Sequence, residues 1–154
     1  MTYGSCTSSD AAVAEACPMI TYRLGNDLDV EQVIALYQSS TLADRRPIHD
    51  RARVQQMVEG ANLIVSAWDG DRLVGLARTL TDFSYVAYVA DLAVCPDHQR
   101  QGIGRELLKR TRQALHPETM LVLLSAPQAN EFYRRVGFDH HPRAWRLLPG
   151  EELK

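Results

Sequence analysis

The hydrophobic pattern of the chain changes period along its length, and each change predicts a new element. Residues 19–23 predict a short first strand. A helix follows, because Val30, Val33, Ile34 and Tyr37 recur at the spacing of one buried helical face. Asp27 or Asp29 begins this helix, and Asp29 with Gln32 three residues later has the form of a capping box.

The middle of the chain predicts a helix and three sheet strands. The helix follows Pro47 and ends at Gly60. Residues 63–68 and 72–80 are strand-like and meet at Asp69-Gly70, which favours a tight antiparallel hairpin. Residues 85–94 are nearly all apolar, with Asp91 the lone charge, so they predict a strand in the middle of the sheet that is covered on both faces.

The last third predicts two more helices separated by a strand. The first helix opens at Gly102 and ends before His116-Pro117. A buried strand is expected at 120–124, and a helix at 127–136, where Ala129, Phe132, Tyr133 and Val136 are spaced as an apolar face before Gly137. Residues 138–148 predict a final strand or two.

The element order is therefore β-α-α-β-β-β-α-β-α-β, an α/β (α+β) fold with a mixed, mostly antiparallel sheet flanked by helices. Residues 1–18 are rich in small and polar residues without periodicity, so we expect a poorly ordered leader there. Residues 19–154 are expected to form a single domain.

Composition and net charge exclude several classes of binding partner. The 154 residues carry a formal net charge of -2, which argues against a general binder of nucleic acid or anionic membranes. No window reaches the ~20 apolar residues of a membrane helix. The odd cysteine count, Cys6, Cys17 and Cys95, favours a reducing cytoplasm over a disulfide framework.

The candidate chemistry lies in the loop at 99–105, between a predicted strand and a helix. Gly102 and Gly104 let backbone N–H groups turn toward an anion at the helix start, and residues 99–112 are the most basic stretch of the chain. A Walker loop would need Lys-Ser/Thr after its second glycine, and a dinucleotide fingerprint would need a third glycine at Leu107; neither is present. The coenzyme A (CoA) pyrophosphate pattern, Gln/Arg-x-x-Gly-x-Gly/Ala, is matched from Gln99 to Gly104.

Two motifs together resemble the GNAT superfamily of acyl-CoA-dependent N-acetyltransferases, over roughly residues 19–148. One is the run from Asp91 to Gly104, similar to the family's central strand, its Val-x-Pro turn and its pyrophosphate loop. The other is Phe-Tyr-x-x-x-Gly-Phe at 132–138. The resemblance implies the GNAT fold and acetyl-CoA as co-substrate, without a metal.

The resemblance also implies roles for individual residues. The cofactor would be held by the pyrophosphate loop and by backbone pairing of the preceding strand with pantetheine, which together comprise Leu92, Ala93, Val94, Gln99, Arg100, Gln101, Gly102, Ile103, Gly104 and Arg105. Tyr133 would protonate the departing thiolate. Many relatives carry an Asn seven residues before this tyrosine, whereas this chain has Ala126.

The remaining roles concern the amine. Asp91 or water is the expected base, because an ammonium group must lose a proton before it attacks a thioester. The residues expected to border the amine lie between the first two helices and in the 81–88 segment: Asp44, Arg45, Arg46, Asp82, Phe83, Tyr85 and Tyr88. Asp139-His140-His141 is not expected to bind metal, because consecutive strand residues point to opposite faces.

The expected function is transfer of an acetyl group to a primary amine, either of a small molecule or of a protein. A homodimer is left open. The alternative is a non-catalytic acyl-CoA sensor that keeps the loop without turnover, although retention of Tyr133 favours the enzyme.

Overall fold

The computed structural model describes residues 19–153, so the predicted leader at 1–18 lies outside the described residues. The strands are β1 Thr21–Leu24, β2 Leu63–Asp69, β3 Arg72–Thr81, β4 Val86–Val94 and β5 Met120–Val122. The α-helices are α1 Val30–Ser39, α2 Arg51–Glu59, α3 Ile103–Gln113 and α4 Asn130–Arg135. Short 3-10 turns occupy Ala43–Arg45, Pro96–His98 and Pro127–Ala129. The predicted order is confirmed from the first strand to the last helix.

The strands form one sheet in the order β1-β2-β3-β4-β5. Neighbours are antiparallel except for β4 and β5, which run parallel. The predicted hairpin is confirmed, with Asp69 opposite Arg72 at its turn. The strand predicted to lie mid-sheet is β4, fourth of the five and interior, while β3 occupies the centre.

Helices pack against both faces of this sheet. On one face α3 approaches β3 closely at Gly75, where an added Cβ would lie 3.1 Å from side-chain atoms of both Ile103 and Leu107. Arg78, three residues along β3, points to the other face, where Asp91 joins it to Tyr37 of α1. The sheet therefore forms the middle layer of three.

The first helix begins as predicted, but its capping box does not form. The Asp29 carboxylate accepts a hydrogen bond from the Glu31 N–H at 3.0 Å and so caps α1. Gln32 does not return a bond to Asp29; its side-chain oxygen accepts from the Leu73 N–H at 2.9 Å. Gln32 thus ties α1 to the start of β3, a contact that the local pattern could not show.

A β-bulge interrupts the pairing of β3 with β4. Arg78 lies opposite Asp91, whereas the next β3 residue, Thr79, lies opposite Val89, so Ala90 has no partner across the ladder. Because of this extra residue, the side chains before and after it do not follow one regular alternation between the two faces of the sheet. Val89 therefore shares the α3 face with Thr79, while Asp91 shares the α1 face with Arg78.

The C-terminal predictions are only partly correct. The strand expected to be buried at 120–124 is the three-residue edge strand β5, and Met120 and Val122 are exposed because nothing pairs with its outer edge among residues 19–153. The strands predicted at 138–148 are absent, and Pro142 interrupts that segment. The predicted final helix is shorter, and its apolar face is only half-buried.

None of the helices in the part of the chain that the structure describes is long and apolar enough to cross a membrane.

Candidate cofactor and catalytic site

The loop between β4 and α3 forms a cradle of free backbone N–H groups. Gly102 adopts φ +84°, a left-handed conformation that costs glycine little, and caps α3. Within residues 19–153, the N–H groups of residues 100–105 donate no hydrogen bond to the protein. Six unpaired donors thus lie at or directly before a helix start, where the helix dipole adds partial positive charge. This arrangement suits a phosphate or pyrophosphate.

Two exposed glutamine side chains hydrogen-bond to backbone carbonyls at this loop. The Gln99 side-chain amide donates to the Val94 carbonyl at 3.1 Å, and the Gln101 amide donates to the Asp97 carbonyl at 3.2 Å. Both residues were predicted as cofactor contacts. Their side chains fix the shape of the loop, while the N–H of Gln101 remains free for a ligand.

Two arginines at the loop carry a positive charge that no described carboxylate pairs with. Lys109 and Arg110 pair with Glu106, and Arg112 donates to the Thr119 and Pro117 carbonyls. Among the described residues, Arg100 and Arg105 have no ion-pair partner, and both are exposed. An anion on the cradle would therefore meet two unpaired guanidinium groups.

Beside the loop, β4 has a free edge. The parallel strand β5 pairs only with residues 86–88 of β4, so residues 89–94 have no strand on that side in the described structure. The Cys95 N–H donates to the Val74 carbonyl of β3 at 2.8 Å. By the alternation of an antiparallel ladder, Ala93 faces β3 as well, whereas Leu92 and Val94 direct their backbone groups to the free edge.

Tyr133 lies between two aromatic rings in the C-terminal motif. Its ring meets Phe132 edge-on at 5.2 Å between centroids and Phe138 at 5.7 Å. Phe132 in turn packs on the loop at 99–105, because an added Cβ at Gly104 would lie 3.3 Å from the Phe132 ring. Burial raises the pKa of the Tyr133 phenol, with the charge of Arg45 working in the opposite direction. The phenol therefore remains protonated at neutral pH.

Asp91 lies at the centre of a buried network. Its carboxylate accepts from Arg46 and Arg78 and, at 2.7 Å, from the Tyr37 hydroxyl, and the residue is 1% exposed. Arg78 also donates to the Met57 carbonyl of α2 at 3.2 Å. Burial first, and then the adjacent carboxylate, raise the pKa of Tyr37, so this hydroxyl stays a donor.

These surroundings do not favour Asp91 as the base. Both carboxylate oxygens are occupied by two guanidinium groups and a hydroxyl, and no surface of the side chain is open to a substrate. The three partners lie 54, 45 and 13 residues away in sequence, so no local pattern could have identified them. The network instead joins α1, α2, the segment between them, β3 and β4.

The residues predicted to border the amine do not form one group. Tyr88 is half-buried on β4, two residues before the bulge, and Asp44 is exposed in the 3-10 turn Ala43–Arg45. Phe83 lies near Ala114 in the lining of a cavity of about 400 Å³ at the end of α3 farthest from the loop, and Tyr85 is 72% exposed. One oxygen of the exposed Asp82 carboxylate, Oδ1, accepts from the N–H groups of Ser84, Tyr85 and Val86.

A second polar cluster, which the sequence patterns did not predict, lies between the loop and the β2–β3 hairpin. The buried ring of His98 lies between two carboxylates, with Nδ1 2.8 Å from Asp97 and Nε2 3.1 Å from Asp69. Arg72 donates to the other oxygen of Asp97 at 2.8 Å. Hydrogen bonding to Asp97 raises the pKa of His98 despite partial burial, and His98 and Arg72 lower the pKa of Asp97 to about 2. The cluster fastens the loop to the β2–β3 hairpin.

Residues 19–153 contain no group of three or more His, Cys, Asp or Glu side chains that could hold a metal ion.

Comparison with known proteins agrees with this geometry. The family model described as Acetyltransferase (GNAT) domain matches residues 33–144. A ycf52-like uncharacterised N-acetyltransferase of Prochlorococcus marinus is 31% identical over 125 residues, 77% of this chain and 67% of that protein. A probable acetyltransferase of Glycine max, TAP2, is 26% identical over 136 residues, which are 80% of this chain. The chain spans only about half of TAP2, 53% of its length.

Solved structures show the same fold. A GNAT-family acetyltransferase of Streptococcus pneumoniae superposes with a TM-score of 0.62 at 32% identity, over 79% of this chain and 88% of that one. The aminoglycoside N-acetyltransferase AAC(6')-Iy, solved in complex with CoA, has a TM-score of 0.68 at 14% identity, over 88% and 98% of the two chains. The present chain belongs to the GNAT family of acetyltransferases.

Proposed function

We propose that this protein transfers an acetyl group from acetyl-CoA to a primary amine. The observation that carries the proposal is the cradle of six free N–H groups at residues 100–105, which opens beside the free edge of β4. Family membership and a fold neighbour solved with CoA support it further. The acceptor, whether small molecule or protein, is left to experiment.

The described residues fit two polar parts of CoA, the pyrophosphate and the amide groups of the pantetheine arm. The loop N–H groups with Arg100 and Arg105 would hold the pyrophosphate, since charge-assisted bonds from several donors are the strong ones. The amide groups of the pantetheine arm match the free backbone groups of Leu92 and the free N–H of Val94, as an added strand would. Bound acetyl-CoA supplies the thioester that the amine attacks.

In this proposal Tyr133 acts as the general acid. Its raised pKa keeps the phenol protonated, and its ring is held against the loop through Phe132. As the free amine nitrogen bonds to the acetyl carbon, the carbon–sulfur bond breaks and Tyr133 donates its proton to sulfur. The proton that the new amide nitrogen then loses returns through water to the Tyr133 oxygen and restores the phenol. The ammonium proton leaves to water, because the oxygens of Asp91 are already occupied.

For the acceptor we retain Tyr88 and Asp44 from the sequence predictions. Both lie near the bulge of β4: Tyr88 is on the strand itself, and the turn that carries Asp44 is attached there through Arg46. Asp44 is exposed and available to attract a cationic amine.

The test is thiol release from acetyl-CoA over a panel of primary amines with purified protein. We expect turnover with at least one amine, and we expect Tyr133→Phe to lower kcat by about 10²-fold or more while CoA affinity stays within about twofold, as loss of a general acid predicts. Tyr85→Phe is the matched control, because Tyr85 is exposed and distant from the loop. Undiminished kcat in Tyr133→Phe would remove Tyr133 from the mechanism.

The alternative sensor function remains distinguishable in the same experiment. A sensor would bind CoA through the cradle but release no thiol with any amine. Absence of both binding and turnover would overturn the family-based proposal as a whole.

A further inference from the structure

In the segment between α1 and α2, residues 40–50, the side chain of Arg46 hydrogen-bonds to β4. The Arg46 Nε bonds to the Asp91 carboxylate, and Nη2 donates to the Ala90 carbonyl at 2.7 Å. Nη1 donates to the Arg45 carbonyl of its own segment at 2.8 Å. All three nitrogens of the guanidinium are therefore used, and they bridge the segment to the strand.

The attachment point is the bulge. Ala90 is the residue that has no partner across the β3–β4 ladder, and its carbonyl receives the Arg46 bond. The free edge of β4 begins here, because β5 pairs no further than Tyr88. Arg46 thus holds the segment at the point where the acetyl end of a cofactor lying along residues 92–94 would be reached.

The same segment carries two exposed charged residues directly before Arg46. Asp44 and Arg45 belong to the 3-10 turn Ala43–Arg45, whose last carbonyl is the one that Arg46 engages. The positive charge of Arg45 also acts to lower the pKa of the Tyr133 phenol and so opposes the effect of burial. This effect agrees with the position of the turn, which Arg46 attaches at the bulge of β4.

We propose that Arg46 is a positioning residue that holds the segment at 40–50 across the acetyl end of the cofactor groove, so that Asp44 and Arg45 border the amine site. The proposal rests on the acetyl transfer proposed above. It assigns a role in acceptor recognition to the network around Asp91, with Arg46 as the link between that network and the substrate.

The first test compares Arg46→Lys with Arg53→Lys in the whole chain. Lysine keeps the positive charge beside Asp91 but loses the fork that reaches Ala90 and Arg45 together. Arg53 is an exposed residue of α2 whose side chain makes no hydrogen bond within residues 19–153, so it is a matched control. Amide hydrogen exchange should quicken at residues 40–50 in Arg46→Lys alone, with or without acetyl-CoA.

Kinetics separate positioning from a merely structural role. With an amine that the wild type acetylates, Arg46→Lys should raise the KM for the amine by about fivefold or more, the equivalent of one lost hydrogen bond, while CoA affinity stays within about twofold. Arg45→Ala should also raise the amine KM, and because this exposed side chain makes no hydrogen bond or ion pair within residues 19–153, that variant should fold normally.

The outcomes that would overturn the proposal are specific. If folded Arg46→Lys keeps the wild-type amine KM and the wild-type exchange at 40–50, Arg46 does not position the segment. Should Arg46→Lys fail to fold, an unchanged amine KM in both Arg45→Ala and Asp44→Ala would overturn it. Failure of the proposed function appears differently, as a wild type that neither binds CoA nor releases thiol.

Discussion

The ring of Phe132 lies against Gly104: a Cβ added at Gly104 would come within 3.3 Å of the Phe132 Cζ atom. This contact joins the pyrophosphate loop to the helix that carries Tyr133. The two motifs, 28 residues apart in sequence at this contact, therefore pack against each other, and we expect binding of the cofactor and orientation of the proposed acid to depend on each other.

We expect Gly104→Val to lower kcat through this contact, because the branched side chain would displace Phe132 and with it Tyr133. Overpacking of this kind costs about 1–3 kcal/mol. Gly104→Ala should have a much smaller effect, since the ring needs to move only by tenths of an ångström.

Phe132→Leu tests whether the ring is the cause. In the double variant Gly104→Val/Phe132→Leu, the loss of kcat should be smaller than the sum of the two single losses, with a coupling of about 1 kcal/mol. Strictly additive losses would show that Gly104 acts independently of Phe132.

Asp91→Asn should destabilise the fold strongly. Two guanidinium groups would lose their shared carboxylate inside the protein, and breaking a buried ion pair from one side costs about 3–5 kcal/mol. Urea denaturation followed by circular dichroism measures this loss. Asp44→Asn is the control, because Asp44 is exposed and should change the free energy of unfolding by no more than about 0.5 kcal/mol. A stable Asp91→Asn variant that has lost only kcat would instead restore Asp91 as the base.

His98 should make the stability of the protein depend on pH. Because its pKa is raised above the ordinary 6.5, the charged ring adds stability that is fully present below about pH 6.5 and is lost as pH rises through the folded-state pKa. The difference in free energy of unfolding between wild type and His98→Gln should therefore shrink from about pH 5.5 to about pH 8.5. A difference that is constant or grows over this range would contradict the placement of the ring between two carboxylates.

The sequence predicted those parts of the fold that local patterns encode. The face of α1 around Val33 and Tyr37, the hairpin at Asp69-Gly70 and the loop at 99–104 follow from spacing within a few residues. Patterns of this kind could not predict the bulge at Ala90, since an unpaired residue depends on the neighbouring strand. They also missed the partners of Asp91, which come from three other elements. For the same reason Gln32 was placed in a capping box, although its partner is Leu73.

The roles of individual site residues were predictable to different degrees. Free N–H groups at residues 100–105 follow from the glycines and the helix start, which are visible in the sequence. Two other features are not specified by any motif. The backbone of Ala93 pairs with β3, and the Gln99 side chain bonds to the Val94 carbonyl; both depend on how β4 is placed in the sheet. Phe83 belongs to the 81–88 segment that is expected to border the amine, but the structure places it near Ala114, at the end of α3 farthest from the loop.

If the loop at 99–105 holds the pyrophosphate of CoA, a negative charge added to the loop must weaken CoA binding, which calorimetric titration of CoA into wild type, Gly102→Ala and Gly102→Asp measures. Both variants place a side chain at the same left-handed φ, in space with no neighbour within 4 Å, but only aspartate adds negative charge to the cradle. We predict that Gly102→Asp binds CoA at least about tenfold more weakly than Gly102→Ala, a difference of about 1.4 kcal/mol. Equal affinity of the two variants for CoA would contradict the account.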